Sequence, residues 1–244
     1  MPQPKAIFFD FDETLAKNVM PIQGLFAEMY FQFSERIGAE NQEPFFTALR
    51  RNAGLLWNSM FDRDETPETQ FAQCFKSSVD SLAKFNKQDS AQLADDMFHR
   101  FLELSSNNVT LHDGAAQTLE VLHNRGFVTG IITNGIESLQ LGKIHGLDLH
   151  NQVDHVVVSA QARAHKPHAK VFELALQRAD VAANQAWQIG DHATNDVAGA
   201  IRAGMSGVFY DPGKDRRASA FTELPETPTH TIHHLTEILE LVNA

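Results

Sequence analysis

The chain has one cysteine, Cys74, in 244 residues. A lone thiol cannot close an internal disulfide and has no second sulfur for a thiolate metal pair, so Cys74 is expected to be a buried core residue. No stretch approaches the roughly 18 uninterrupted apolar residues of a membrane span. The start, MPQPKAIFFD, lacks an apolar h-region followed by a small-residue cleavage site, and a cytoplasmic location is expected. Positive charge is short: 20 Lys and Arg stand against 31 Asp and Glu, a formal charge of −11. Such a surface repels phosphate backbones, which disfavours nucleic acid as a general partner but not a small anion in a locally positive pocket. There is no G-x-G-x-x-G and no P-loop. Internal repeats and low-complexity tracts are also lacking.

What is present has two textures. From about Met20 to Leu104 the pattern is helical, with three-and-four spacing of apolar residues over Met20–Ile37 and a further helix expected over Asp89–Leu104. Thr66-Pro67-Glu68 reads as a helix start: a capping hydroxyl, a proline at the first position, then an acid. From about Leu111 strands alternate with helices. Strands are expected over Phe127–Thr133, Val153–Ser159, Trp187–Gly190 and Ser206–Tyr210. The helices between them run from Asp113 as cap to Arg125, Ile136–His145, Pro167–Arg178 and Asn195–Ala203. Single helices between strands imply βαβ units and a parallel sheet. Lys5–Phe9 is apolar throughout, as a central parallel strand should be. The expected fold is therefore α/β, a three-layered Rossmann-like parallel sheet interrupted by a helical insertion. The sheet domain is placed at 1–16 and 110–244 and the helical domain at 17–109. An insertion leaving the sheet there is expected above the carboxyl ends of the strands, where open α/β sheets carry their ligand crevice, and a lid role is plausible for it.

The chemistry gathers at those strand ends. The first strand runs into Asp10-Phe11-Asp12-Glu13-Thr14, a cluster of like charges that is costly to bury unless something neutralises it. Thr133-Asn134-Gly135 follows the second, His165-Lys166-Pro167 follows the third, and the fourth ends in Gly190-Asp191 with Asn195-Asp196 beyond. Carboxylates without thiols or regularly spaced histidines suit a hard cation such as Mg2+. The Thr133 hydroxyl and the Asn134 and Gly135 N–H groups at a helix start suit a phosphate, and Lys166 adds positive charge. Together these residue types suit phosphoryl transfer, where positioning and charge neutralisation carry most of the catalysis.

The pieces D-F-D-E-T, I-T-N-G, H-K-P and G-D-x-x-x-N-D, in this order, resemble the four motifs of the haloacid dehalogenase superfamily, over about residues 1–16 and 110–215. The helical insertion resembles the family's C1-type cap. The resemblance implies that Asp10 is the nucleophile that forms an aspartyl-phosphate, and that Asp12 is the general acid and base. It implies that Thr133, Asn134, Gly135 and Lys166 bind the phosphate, with Lys166 also steadying Asp10. Asp10, Asp12 (through its main-chain carbonyl), Asp191 and Asp196 are the implied Mg2+ site, Asp196 directly or at one remove. Helix capping is the alternative reading of Asn195 and Asp196. Glu13 departs from relatives that carry glycine or aspartate there and is expected to point away. His192 is expected to sit behind the residues that touch substrate.

The resemblance also separates reactions. The family's dehalogenases and phosphonate hydrolases lack an aspartate at the position of Asp12, and dehalogenases need no Mg2+. A Mg2+-dependent phosphomonoesterase acting on a small phosphorylated metabolite, a nucleotide or sugar phosphate, is thus the leading expectation. A dehalogenase-type hydrolase, a sugar-phosphate mutase and a non-catalytic phospho-ligand-binding protein are the alternatives. Lys17, Asn18, Trp57 and Asn58 are candidate substrate contacts. Residues 16–110 carry nine Lys and Arg against thirteen Asp and Glu, which disfavours highly phosphorylated substrates. His230, His233 and His234 lack a further acid or thiol at ligand spacing and are not expected to bind metal.

Overall fold

The computed structural model describes residues 3–82, 87–213 and 226–243. The polar connection expected over Asp211–Thr229 therefore lies partly outside the described residues. Chain contacts divide the protein into two compact units, one of Met1–Asn18, Val109–Gly135 and Ile144–Ala244, the other of Val19–Asn108 and Ile136–Lys143. The expected sheet-domain range of 110–244 needs correction at 136–143, which packs with the helical unit.

The first unit is built on six parallel strands: β1 (Ala6–Phe9), β4 (Val128–Thr133), β5 (His155–Val158), β6 (Ala186–Gly190), β7 (Ser206–Tyr210) and β8 (His230–Ile232), in the order β5-β4-β1-β6-β7-β8. β1 lies between β4 and β6, so the strand that precedes Asp10 is interior, and all four of its residues are buried. Side chains alternate across the sheet, which is why a continuous apolar run is required. Ile7 and Phe9 face one core with Leu119 and Leu122 of α5 (Ala115–Asn124) and Ile238 of α10 (Ile238–Leu241). Ala6 and Phe8 face the other with Val171 and Phe172 of α8 (Ala169–Ala179) and Ala200 of α9 (Gly199–Arg202). The result is three layers, helix, sheet and helix.

A short antiparallel ribbon, β2 (Ala16–Asn18) with β3 (Val109–Leu111), marks where the chain leaves and re-enters this unit. Three helix starts differ from the sequence reading. Pro167 does not open α8, which begins at Ala169 with the His168 side chain accepting the Lys170 N–H as its cap. Asp113 does not cap α5; the cap is Gly114 at φ 81°, with the Ala115 N–H donated to the His112 carbonyl instead. The expected helix Asn195–Ala203 is a wide π turn over Ala193–Ala198 that continues into α9.

The second unit holds α1 (Ile22–Ile37), α2 (Gln42–Ser59), α3 (Pro67–Asp80) and α4 (Lys87–Asn107), joined by the first part of α6 (Glu137–Gly146). The Thr66 hydroxyl accepts the Thr69 N–H at 3.2 Å and Pro67 is the first helical residue, so the α3 start forms as its residue types dictate. Phenylalanines fill the core: Phe71, Phe75, Phe98 and Phe101 meet with ring centroids 5.5–5.8 Å apart, several edge to face. Cys74 is buried beside them, and burial pushes its thiol up to about 11. Among the described residues no helix is long and apolar enough to cross a membrane.

Candidate active site

Three of the four motif loops meet around one buried ammonium. Lys166 is 3% exposed, and its Nζ donates to Asp10 Oδ1 at 2.7 Å, Asp196 Oδ1 at 2.6 Å and the Ile132 carbonyl at 2.8 Å. All three ammonium hydrogens are thereby used, so direct contact with a phosphate requires Lys166 to exchange one of these partners. The strand ends cause the convergence. β1 delivers Asp10, the neighbouring β4 delivers Ile132, and Asp196 lies in the π turn that follows β6.

Asp191 completes an acidic grouping. One carboxylate oxygen from each of Asp10, Asp191 and Asp196 lies within 4.8 Å of the others, and all three residues are buried. Asp12 contributes no side-chain oxygen to this grouping. It lines the same cavity of about 90 Å³ as Asp10, Thr133, Asn134, Lys166, His192, Asn195 and Asp196. That volume is well below the ~300 Å³ at which whole-ligand pockets begin, so it suits a reacting group rather than an entire substrate.

The electrostatics are short of positive charge. Burial pushes the Asp10 carboxyl up to about 7, helped by Asp196, and the Lys166 ammonium only partly opposes this. Asp196 is likewise raised by burial against the pull of Lys166. Burial alone would drive the Lys166 proton off, but the two carboxylates overturn that and hold it charged, above the ordinary lysine value. One ammonium cannot neutralise three buried acids. A donor set made only of carboxylate oxygens, with one ammonium against three acids, fits a hard divalent cation such as Mg2+.

Local backbone explains the details. Thr14 is fully buried; its hydroxyl accepts the Asp191 N–H at 3.1 Å and donates to Asp191 Oδ1 at 3.4 Å, tying the first acidic loop to the fourth. Glu13 sits at φ 63°, in the left-handed region, which accounts for a glycine being acceptable at that point of the turn. Asp196 Oδ2 accepts the His192 N–H at 3.0 Å. The cap of the π turn is His192, whose Nδ1 accepts the Thr194 and Asn195 N–H groups at 3.2 Å each, so the capping role considered for Asn195 falls to His192.

Gly135 requires a correction. Its N–H is donated to Ser159 Oγ at 3.0 Å, so Gly135 is not an available phosphate donor. Of the candidate substrate contacts, Lys17 and Asn18 are exposed on β2 of the sheet unit, and Trp57 and Asn58 are exposed near the end of α2 in the helical unit.

Gly190 is a residue whose role the motif spelling hides. A Cβ there would overlap Asp196 Cγ and its Oδ2. Asp196 cannot retreat without breaking its bonds to Lys166 and His192. Gly190→Ala is therefore expected to destabilise the protein by about 1–3 kcal/mol through overpacking. Its Tm should fall by about 2–4 °C for each kcal/mol lost. A melting curve matching wild type would contradict the tight approach.

A ribulose-1,5-bisphosphate 5-phosphatase from Halopiger xanaduensis is 32% identical over 158 residues, 64% of each chain. A glyceraldehyde 3-phosphate phosphatase from Pyrococcus furiosus is 36% identical over 129 residues, 53% of each chain. The aligned stretches thus span less than two thirds of these curated relatives. A solved 2-haloacid dehalogenase from Pseudomonas syringae pv. Tomato DC3000 superposes over 98% of both chains with a TM-score of 0.77 and 26% identity. The family model of the haloacid dehalogenase-like hydrolases matches residues 4–204, most of the chain. With its motif residues gathered at one sheet edge, this chain belongs to the haloacid dehalogenase-like hydrolases.

Proposed function

We propose that this chain is a phosphomonoesterase for a small phosphorylated metabolite. The observation that carries the reading is Asp12 sharing a small cavity with an Asp10 carboxylate held by buried Lys166. In this reading Asp10 attacks phosphorus, the ester P–O bond breaks, and Asp12 gives its proton to the leaving oxygen. Asp12 then takes a proton from water, the water oxygen attacks phosphorus, and phosphate leaves as the Asp10 carboxylate is restored. Thr133 and the Asn134 N–H orient the phosphoryl oxygens, and Lys166 fixes the rotation of the Asp10 carboxylate through Oδ1. Mg2+, held by Asp10, Asp191 and Asp196, would supply positive charge against the phosphoryl oxygens. Two of the phosphatases similar to this chain act, by their names, on ribulose-1,5-bisphosphate and glyceraldehyde 3-phosphate, which supports a sugar phosphate as the substrate class.

The likeness to a 2-haloacid dehalogenase favours a second reading, carbon–halogen hydrolysis. Asp12 discriminates, because a departing halide needs no proton whereas an alkoxide does. Phosphate release from p-nitrophenyl phosphate, with Mg2+ or with chelator, should be set beside chloride release from 2-chloropropionate. Mg2+-dependent phosphate release without chloride supports the phosphatase. Chloride release that ignores chelator overturns it.

Metal binding has its own readout. Mg2+ at about 100 times its dissociation constant adds about 2.7 kcal/mol to stability. Its addition should raise Tm by about 5–10 °C, and Asp191→Asn should lose most of that shift. An identical Tm with Mg2+ and with chelator would remove the metal from the proposal.

A further inference from the structure

We propose that the Asn134 side chain is a positioning residue that sets where the Lys166 ammonium stands, separately from any contact its main chain makes with substrate. This inference rests on the phosphatase reading for its kinetic arm only. Asn134 Oδ1 accepts the Lys166 N–H at 2.7 Å, and Asn134 Nδ2 donates to the Lys166 carbonyl at 3.1 Å. One primary amide thus reads both main-chain groups of one residue, as a neighbouring strand would. A carboxylate could accept the N–H but could not donate to the carbonyl, and an apolar isostere could do neither.

The other end of Lys166 returns to the same strand. Its Nζ donates to the carbonyl of Ile132, two residues before Asn134. The lysine is therefore gauged against the end of β4 at both its main chain and its tip. Asp10, at the end of the adjacent β1, is gauged against β4 by the sheet register, in which Phe9 is paired with Ile131. Asn134 carries that register onto a loop that belongs to no strand, so that Nζ meets Asp10 and Asp196 together. A second tether reinforces the loop: Ser159 Oγ takes the Gly135 N–H at 3.0 Å and lies 2.9 Å from His165 Nδ1. That tether stops one residue short of Lys166, whereas Asn134 holds the lysine's own peptide groups.

A purely structural tether would change stability alone. A positioning role makes two further demands. The first readout needs no activity: the rate at which an amine-acetylating ester labels Lys166 in the full chain, read by peptide mass spectrometry against exposed Lys170. Asn134→Leu should label Lys166 at least about 10-fold faster relative to Lys170, and Asn134→Ser, whose shorter hydroxyl no longer reaches the Lys166 N–H, should do the same. The second is a split in the kinetics of p-nitrophenyl phosphate hydrolysis: kcat lower by about 10- to 100-fold with KM changed by less than about 3-fold. Unchanged labelling in both variants overturns the proposal, whether or not Tm falls. Faster labelling in a wild-type background that hydrolyses no phosphate ester leaves Asn134 as the gauge of Lys166 and counts against the phosphatase reading instead. If Asn134→Leu does not fold, the Asn134→Ser comparison decides both arms.

Discussion

Asp10→Asn should lower hydrolysis of an aryl phosphate by at least about 10⁴-fold, the scale on which loss of a nucleophile is felt. The substitution is nearly isosteric. An asparagine Oδ1 can still accept the Lys166 Nζ bond that Asp10 Oδ1 now accepts at 2.7 Å. The amide cannot form the aspartyl-phosphate, so the chemical step is removed while the packing persists. Stability should move the other way. Asp10, Asp191 and Asp196 crowd three buried acids against one ammonium. Removing one negative charge relieves the self-repulsion and the cost of burying Asp10. In chelator, the Tm of Asp10→Asn should equal or exceed that of wild type. Retained turnover would reject Asp10 as the nucleophile, and a large fall in Tm would reject the charge count at the site.

Lys166→Met should do the opposite to stability. Methionine fills similar space but offers no hydrogen to Asp10, Asp196 or the Ile132 carbonyl. Both carboxylates then stay buried without a partner of opposite charge; their side chains are only 13% and 1% exposed. Breaking a buried pair by deleting one member costs about 3–5 kcal/mol. For a chain of this size that is a Tm lower by about 6 °C or more. Turnover should fall as well, because the Asp10 carboxylate loses the bond that fixes its rotation. The double variant Lys166→Met with Asp196→Asn separates the two effects. Removing a carboxylate together with the lysine should restore much of the stability without restoring activity, and the four Tm values measured in chelator form the cycle. A Lys166→Met variant as stable as wild type would mean that the ammonium does not neutralise the acids.

Much of the site could be read without a structure because it depends on local order. AIFF before Asp10 is apolar at every position, and only a strand covered on both faces requires that. Alternating strand and helix patterns then dictate a parallel sheet with right-handed crossovers, so residues following successive strands must share one edge. Asp10, Thr133, Lys166 and Asp191 could be gathered on that ground alone, and so could the oxygen-only character of the acidic grouping. The Thr66 cap and the Pro67 helix start were legible for the same reason, since their partners lie within four residues.

What escaped depends on partners far along the chain. Gly135 looked like a phosphate donor until Ser159, 24 residues on, took its N–H. Asn134 offered a main-chain group to the sequence reading, while its side chain turns to Lys166, 32 residues away. Segment 136–143 follows a core strand yet packs with the helical unit, a choice set by which apolar surface Ile136 and Leu139 cover rather than by periodicity. The sequence by itself determined the layer architecture and the residue types at the strand ends, because hydrophobic period and chain order are one-dimensional properties. Only the tertiary structure decided which hydrogen of which donor is spent where: that Lys166 uses all three of its own, and that Gly190 must lack a side chain for Asp196 to reach it. Those are matters of tenths of an ångström between groups that, around Lys166, stand from 30 to 156 residues apart, and hydrophobic period and chain order do not encode them.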